Sequence, residues 1–477
     1  MALSVRENYP LKGHNTFGLD AVADCFIEYG SVAELREALA VVRSRGGDSA
    51  GEVDGAGDSV AGGSPSRGGF GQLDFLHIGR GSNLLFSGDC HSPVLHGTIS
   101  DFEIFRGPAG SDADAGAVSV ADFAAGAEAD SAGNAVASSE ADSCADSGDV
   151  SEAGTLAASG VVSVPEWLVR CGVSPDGARQ LASDAVYVRA GAGIEWDAFV
   201  ERTLREGVFG LENLSGIPGE VGAAAVQNIG AYGAEAADYI LAVETLDTET
   251  LCGRVFLAGE CEYSYRHSIF KQAENKRYII TAVIFRLSRV FVPNLRYAAL
   301  SKKFSPAGSG ADGGCSRGAE SGGCGSVRDS DSGGWGFSAL DLREAVLQMR
   351  GEKLPDPSVM GSAGSFYLNP VIPVNLASRL QEQYPEIPVY EVPGDGSRVK
   401  LSAAWLIERC GWKGRSVGRA GVYEHQPLVI VNLGGATAGE ILSLAEAVVD
   451  SVCQKFGVTL RMEVNVVGGK KNLADKK

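Results

Sequence analysis

The stretch from 210 to 233, G-L-E-N-L-S-G-I-P-G-E-V-G-A-A-A-V-Q-N-I-G-A-Y-G, constrains the fold more than any other part of this 477-residue chain. It carries no Lys or Arg, and glycines recur at 216, 219, 222, 230 and 233. Without a Cβ, the backbone at those positions can approach a flat or charged partner closely. Ala and Val between the glycines pack the same segment against a core. Two readings follow. The glycines gather bare N–H groups into a nest for a phosphate or a ring edge, or they form a tight helix-and-turn corner in which small residues only allow close approach. Composition leaves both open.

The net charge of −19 argues against a nucleic-acid groove, which needs a concentrated basic face. Ten cysteines are scattered without a C-x-x-C, and no His stands at metal-ligand spacing. Neither a metal site nor a disulfide framework is expected. The N-terminal M-A-L-S-V-R-E-N-Y-P lacks a signal peptide's apolar core, and no apolar run reaches the roughly 18 residues that span a bilayer. A soluble cytoplasmic protein is expected. At roughly 150 residues per domain, its length suggests about three units.

The first unit begins near His14-Asn15-Thr16-Phe17-Gly18. Ser31-x-x-Glu34 is a capping box, and Val32, Leu35, Leu39 and Val42 mark one helical face. A Gly/Ser tract over 43–69 interrupts that helix. A strand over 73–78 then runs into Gly79-Arg80-Gly81-Ser82-Asn83, a candidate phosphate cradle that is not the dinucleotide fingerprint G-x-G-x-x-G. Over 107–160 there are ten Asp or Glu and no Lys or Arg among Ala, Ser and Gly. Such a segment cannot bury enough apolar surface to offset the entropy of ordering. Together with 43–69 and 305–334 it reads as a solvated surface insertion.

The second unit spans about 186–287. Trp196, Val200 and Leu204 have helical spacing and Gly207 ends the helix, while strands are expected over 240–246 and 278–287. The second of these, Y-I-I-T-A-V-I-F-R-L, is apolar on both faces and so belongs at a sheet centre. The third unit opens with Leu295-Arg296-Tyr297. Ser338-x-x-Asp341 caps a helix with Leu342, Val346 and Met349 on its buried face, closed by Arg350, Lys353 and L-P-D-P. G-S-A-G-S-F-Y-L-N-P follows at 361–370. Thr437-x-x-Glu440 caps the last helix, lined by Ile441, Ala445, Val448 and Val452. Over 459–466 the pattern alternates as one strand, with Leu460, Met462, Val464 and Val466 on one side and Arg461, Glu463 and Asn465 on the other.

Taken in order, N-T-F-G, G-R-G-S-N-L-L, G-L-E-N-L-S-G-I-P-G, Q-N-I-G-A-Y-G, Y-R-H-S-I-F-K, K-L-P-D-P, A-G-S-F-Y-L-N-P and a terminal E-V form a specific series. Through them the chain closely resembles the UDP-N-acetylenolpyruvoylglucosamine reductase family, also called UDP-N-acetylmuramate dehydrogenases, in its first form. The resemblance covers nearly everything outside the three tracts. It implies an α+β fold with a two-part FAD-binding domain of the vanillyl-alcohol-oxidase (PCMH) type over 14–288, in subdomains 14–100 and 186–288. A C-terminal α+β substrate-binding domain over 291–468 would complete the chain.

The implied activity is NADPH-dependent reduction, through FAD, of the enolpyruvyl ether of UDP-N-acetylglucosamine-enolpyruvate to UDP-N-acetylmuramate in peptidoglycan precursor synthesis. The protein would act as a monomer, without nucleic acid or membrane insertion. By the resemblance, Ser365 is the proton donor, and Arg266 and Glu463 stabilise the enolic intermediate. Tyr265, Tyr297, Arg350, Lys353 and Asn369 would face the substrate. Gly79, Arg80, Gly81, Ser82, Asn83, Ile217, Gly219, Gly222, Asn228 and Gly230 would hold FAD. Asn465 departs from the family, whose members often carry Arg there, and this puts a flavin contact from that position in doubt.

The chemistry suits these residue types. Hydride addition to the terminal carbon leaves negative charge beside a carboxylate, and a fixed guanidinium is most effective where such charge develops. A carbon base can take a proton from serine, and a buried glutamate pushed toward its neutral form would assist rather than repel. Taken singly, Ser365 could only shape a turn, Arg266 could end a strand at the surface, and Glu463 could face water. Another flavoenzyme of the same fold, oxidising an alcohol, or an inactive sugar-nucleotide-binding scaffold would be the alternatives.

Overall fold

The computed structural model describes residues 3–47, 74–106, 164–173, 185–304, 335–392 and 394–468. The expected insertions at 107–160 and 305–334, and most of the one at 43–69, lie outside the described residues. The described residues combine helices and mainly antiparallel sheets in an α+β arrangement.

The first sheet runs in the order Ser4–Pro10, Val22–Tyr29, Val94–Gly97, Leu76–Ile78, with the first pair antiparallel and the others parallel. It begins ahead of His14, where no strand was expected. Ser4–Pro10 is an edge strand with mostly exposed side chains, so no apolar alternation marks it. Helix Val32–Gly47 lays Leu35, Leu39 and Val42 on Cys25, Ile27, Tyr29 and Leu95. Ser31 Oγ caps it by accepting from Glu34 N at 3.2 Å, while the Glu34 carboxylate takes Gly30 N at 2.7 Å. The helix does not dissolve at Arg43 as expected. Arg43 donates to the carbonyls of Thr248 (2.7 Å) and Glu249 (3.0 Å), and this long-range anchor accompanies its continuation to Gly47.

The second sheet runs Gly253–Leu257, Ile240–Asp247, Tyr278–Ser288, Ala185–Gly191, Phe102–Arg106. Tyr278–Ser288 is central and buried along almost its whole length, as its two-faced apolar sequence required. Residues 105–186 cluster as a separate unit, in which the described helix Glu166–Arg170 buries Trp167 and Leu168.

Toward the C-terminus, a sheet of Gly361–Ser365, Val429–Asn432, Ala420–Val422 and Ser416–Val417 shares a core with helix Ala438–Phe456. Both remaining capping boxes form. Asp341 N and Glu440 N donate to Ser338 Oγ and Thr437 Oγ1, each at 3.2 Å, and the two carboxylates answer the cap amides. Phe17, Leu19 and Leu85 belong to this same core. Ser362 N bonds Thr16 O, and Asn432 Nδ2 bonds Phe17 O, both at 3.0 Å. The N-T-F-G segment is thus a structural insert in the C-terminal part.

The chain end differs from expectation. Strand geometry is confined to Asn465–Val467, paired parallel with Leu84–Phe86, and a single bridge joins Met462 to Tyr367. Leu460 and Val464 are buried, but Met462 and Val466 are exposed. Because the segment changes partner midway, no single face is maintained along it. Among the described residues no helix is long and apolar enough to cross a membrane. No His, Cys, Asp and Glu among them are grouped to hold a metal ion.

Candidate active site

The G-R-G-S-N loop follows strand Leu76–Ile78 and packs against the N-T-F-G segment. At Gly81 (φ +68°) a Cβ would land on the carbonyl oxygen of His14, 2.7 Å from its carbonyl carbon. At Gly79 it would overlap the Glu220 carboxylate, 3.1 Å from Cδ. Only glycine fits at Gly81, where the clash is with backbone; at Gly79 the clash is with the end of a side chain that can turn away. Arg80 pairs with Glu195 at 2.5 Å. Among the described residues, the backbone N–H groups of Arg80, Gly81, Ser82 and Asn83 donate to no protein acceptor. Four consecutive uncommitted amides on a glycine turn are donors of the kind the expected phosphate cradle calls for.

The second glycine segment meets the first, since a Cβ at Gly219 (φ +126°) would lie 3.0 Å from Ser82 Oγ. Ile217 sits part-buried beside it. Helix Val221–Gln227 then begins, but its first amides are not bare. Val221 N bonds Ile194 O and Gly222 N bonds Ala192 O, each at 2.9 Å. Gly222 is needed because a Cβ would come within 2.8 Å of Ala192 Cβ. At Gly222 the stretch therefore follows the packed-corner reading, and the uncommitted amides lie outside it, in the 80–83 loop. Asn228 ends the helix in the left-handed conformation (φ +44°). Its side chain is fully engaged with Glu235 Oε2 (2.8 Å), Ser264 O (3.0 Å) and Ala237 N (3.0 Å), so it frames the site.

Arg266 lies in a two-residue hairpin turn closed by Ser264 and His267, which exchange N–H···O bonds of 3.2 and 2.9 Å. Its φ of +54° is unusual for a side chain of this size. The guanidinium reaches Glu463 Oε1 from Nε at 2.9 Å, Asn228 O from Nη1 at 3.1 Å and Gly230 O from Nη2 at 2.9 Å. Neither partner of the pair is a surface residue, with side-chain exposures of 20% and 13%. Burial pushes the Glu463 carboxyl above its usual value, and the charges of Arg266 and Lys271 draw it partly back.

Ser365 ends strand Gly361–Ser365, after Gly364 at φ +66°. Among the described residues its hydroxyl has no hydrogen-bond partner. The segment that follows it is paired by backbone with the segment of Glu463, because Glu463 N donates to Phe366 O at 2.9 Å and Leu368 N donates to Arg461 O at 2.9 Å. Asn83 Nδ2 bonds Glu463 O at 3.1 Å, and Asn465 N bonds Asn83 O at 3.0 Å. The terminal segment thus ties the candidate acid, the ion pair and the amide nest together. The Asn465 side chain itself is exposed.

The residues expected to face the substrate fall in two groups, with Arg350 apart from both. Asn369 donates to the Tyr265 hydroxyl at 3.3 Å, and Lys400 lies over that ring at 4.4 Å. Lys353 donates to the Tyr297 hydroxyl at 3.3 Å, and Tyr297 meets Tyr232 edge-on at 5.1 Å. Arg350 donates from Nε to Gly216 O at 3.0 Å. Asp197 fixes that turn, accepting from Gly216 N at 2.5 Å and from both Nη of Arg343 at 2.7 and 2.8 Å.

Sequence reasoning missed Lys271, Lys400, Tyr232 and the Asp197–Arg343 pair. Lys271 closed the quoted Y-R-H-S-I-F-K string but was given no role. Its Nζ donates to Arg266 O at 3.0 Å and Gln227 Oε1 at 2.9 Å. Among the described residues no carboxylate lies within ion-pair distance of Lys271, Arg350 or Lys353. These cations give the site an excess of positive charge that suits an anionic ligand.

A family model described as UDP-N-acetylenolpyruvoylglucosamine reductase, C-terminal domain, matches residues 356–467, and a FAD binding domain model matches 157–250. The second match agrees with the vanillyl-alcohol-oxidase-type fold that the resemblance implies. The UDP-N-acetylenolpyruvoylglucosamine reductase of Bacteroides fragilis (strain YCH46) is 35% identical over 464 residues, covering 97% of this chain and all of that protein. The reductase of the same name from Porphyromonas gingivalis is 42% identical over 289 residues, covering 60% of this chain and 76% of its own length. That from Burkholderia lata is 43% identical over 280 residues, covering 59% and 73%.

Proposed function

The chain belongs to the UDP-N-acetylenolpyruvoylglucosamine reductase family, and from that premise we propose that it reduces UDP-N-acetylglucosamine-enolpyruvate to UDP-N-acetylmuramate with NADPH. An FAD oxidoreductase of peptidoglycan precursor synthesis is the coarse reading. NADPH as reductant, Ser365 as acid, a cytoplasmic location and a monomeric state are its finer parts. The observation that carries it is the part-buried Arg266–Glu463 pair at 2.9 Å, whose glutamate is bonded through its backbone to Phe366, the residue after a serine with an uncommitted hydroxyl.

The uncommitted amides of Arg80 to Asn83 and Gly81, which admits no Cβ, fit FAD, whose pyrophosphate they would hold. Bound and reduced, FAD would supply the hydride to the terminal carbon of the enolpyruvyl group. Arg266 has five N–H groups, three of them engaged with Glu463, Asn228 and Gly230. One N–H remains on each Nη, and these would meet the substrate carboxylate and the charge that grows on it. Ser365 Oγ holds the proton for the carbon beside that carboxylate. Glu463, biased by burial toward its neutral form, shares a proton with the enolic oxygen without adding negative charge. Arg350, Lys353 and Lys400 would hold the remaining anionic groups of the sugar nucleotide.

Incubation of the purified protein with FAD, NADPH and UDP-N-acetylglucosamine-enolpyruvate tests the reading. A product heavier by two hydrogens, formed as NADPH absorbance falls, is expected. NADPH oxidation that needs only oxygen, with the sugar nucleotide unchanged, would point instead to an oxidase on the same fold.

A further inference from the structure

We infer that Lys271 is a positioning residue for the Arg266–Glu463 pair, holding the Arg266 turn by its backbone carbonyl and adding a fixed cation to the surroundings of the pair. The inference rests on the functional reading above and gives the pair a third member.

Three observations carry it. First, Lys271 Nζ bonds the carbonyl of Arg266 itself, the residue whose left-handed backbone aims the guanidinium. Such a conformation persists only where its surroundings over-determine it. Second, the other partner is Gln227 Oε1 at the end of helix Val221–Gln227, so the ammonium spans the same helix end that Arg266 and Ser268 cap through Asn228 O and Val226 O. Third, Lys271 is part-buried with no carboxylate in ion-pair range among the described residues, and two neutral oxygens hold it. A desolvated cation without a counter-ion costs stability. The nearby negative charge that acts on it is Glu463, opposed by Arg266.

The charged and titratable groups around this centre are known on each side. Tyr265 and Arg266 come from the turn, and Glu463 from the terminal segment. Arg350 comes from helix Ala339–Lys353, Lys400 from strand Arg398–Leu401 above Tyr265, and Glu235 through Asn228. Lys271 is the cation among them that touches the Arg266 backbone. Its charge favours ionised Glu463, against the burial that favours the neutral form. The lysine thereby keeps the carboxyl able to accept a proton as well as hold one.

The test uses flavin-loaded full-length protein with Lys271→Met, Lys271→Gln and Lys271→Arg. Flavin reduction by NADPH should stay within about twofold of the parent in all three. Reoxidation at saturating enolpyruvyl substrate should fall by up to about 10²-fold in the Met variant, the scale of an approximately 1 Å misplacement. Lys271→Arg should recover a large part of that loss. Independently of turnover, the Glu463 carboxyl band, assigned by its disappearance in Glu463→Gln, should titrate at higher pH in the Met and Gln variants than in the parent. Both half-reactions slowed alike, neither slowed, or an unmoved Glu463 midpoint would overturn the inference. If the parent itself never reoxidises with this substrate, the functional reading fails, while the infrared midpoint still decides the role of Lys271.

Discussion

Alanine at Gly81 and at Gly79 should have very different consequences, although both glycines line the same loop. At Gly81 the backbone is left-handed, which costs an L-residue about 1–2 kcal/mol. The new Cβ would also land on the backbone carbonyl of His14 and lie 3.0 Å from Asn15 Cα. Those atoms are anchored, since Asn15 is buried and bonds Leu11 O and Leu19 O at 3.0 Å. Relief requires moving the N-T-F-G backbone, and overpacking of that kind costs about 1–3 kcal/mol. Together the two effects place Gly81→Ala about 2–5 kcal/mol below the parent. At Gly79 the clash is with the far end of the Glu220 side chain, which can rotate at the expense of its 3.7 Å approach to His96. Gly79→Ala should therefore cost about 1 kcal/mol or less. Urea unfolding of both variants, with flavin retention followed through gel filtration, measures the contrast. The packing account is wrong if Gly81→Ala unfolds with the parent or if Gly79→Ala is the more damaged of the two.

Three further outcomes are expected. Burial lifts the Glu212 carboxyl to about 7, against backbone bonds from Gly210 that pull it down. The folded state then keeps a proton that the unfolded chain has already lost, so stability should fall by up to about 3 kcal/mol as pH rises from about 4.5 to 7 and level off above. Glu212→Gln should flatten that slope in urea titrations at pH 5 and 8, and an unchanged slope would refute the assignment. FAD should be held without a covalent bond, because the two glycine segments contain no His or Cys, and acid precipitation should release all of it. Replacing 107–160 with a short linker should leave turnover within about threefold, under about 1 kcal/mol of barrier, because loop closure changes by only about 0.6 kcal/mol per doubling of length. A flavin-loaded deletion that has lost turnover would show that the acidic tract takes part.

Local signals in the sequence were legible because their causes are local. The Ser338 and Thr437 capping boxes formed as read, and the apolar run 278–287 took the sheet centre because nothing in it could face water. Where the cause is a distant partner, the reading failed. Ser4–Pro10 shows no alternation yet is held by Val22–Tyr29, and helix Val32–Gly47 outlasts its own composition where Arg43 bonds Thr248. The alternation over 459–466 was real in residue type, but pairing first with Tyr367 and then with Leu84–Phe86 turned Met462 and Val466 outward. The site divides the same way. Arg266, Ser365 and Glu463 stood out as motif residues, and the structure places all three on neighbouring segments. Lys271 could not be weighted from sequence, because its importance lies in one carbonyl five residues earlier and one amide on a different element. Asn228 was read as a cofactor contact, and its side chain has three protein partners that no spacing rule brings together.

The central claim is that Ser365 delivers a proton beside the Arg266–Glu463 pair, and it divides the reaction into halves that rapid mixing can separate. Without oxygen, NADPH should bleach the flavin of Ser365→Ala at nearly the parent rate, since that half needs no proton at the sugar nucleotide. Return of the flavin colour on adding saturating UDP-N-acetylglucosamine-enolpyruvate should be slower by about 10²- to 10⁴-fold, the usual cost of losing a positioned acid. Ser365→Cys, with a proton at nearly the same place, should recover part of that loss. Equal reoxidation rates in Ser365→Ala and the parent would contradict the claim and pass the proton to Glu463 or to water.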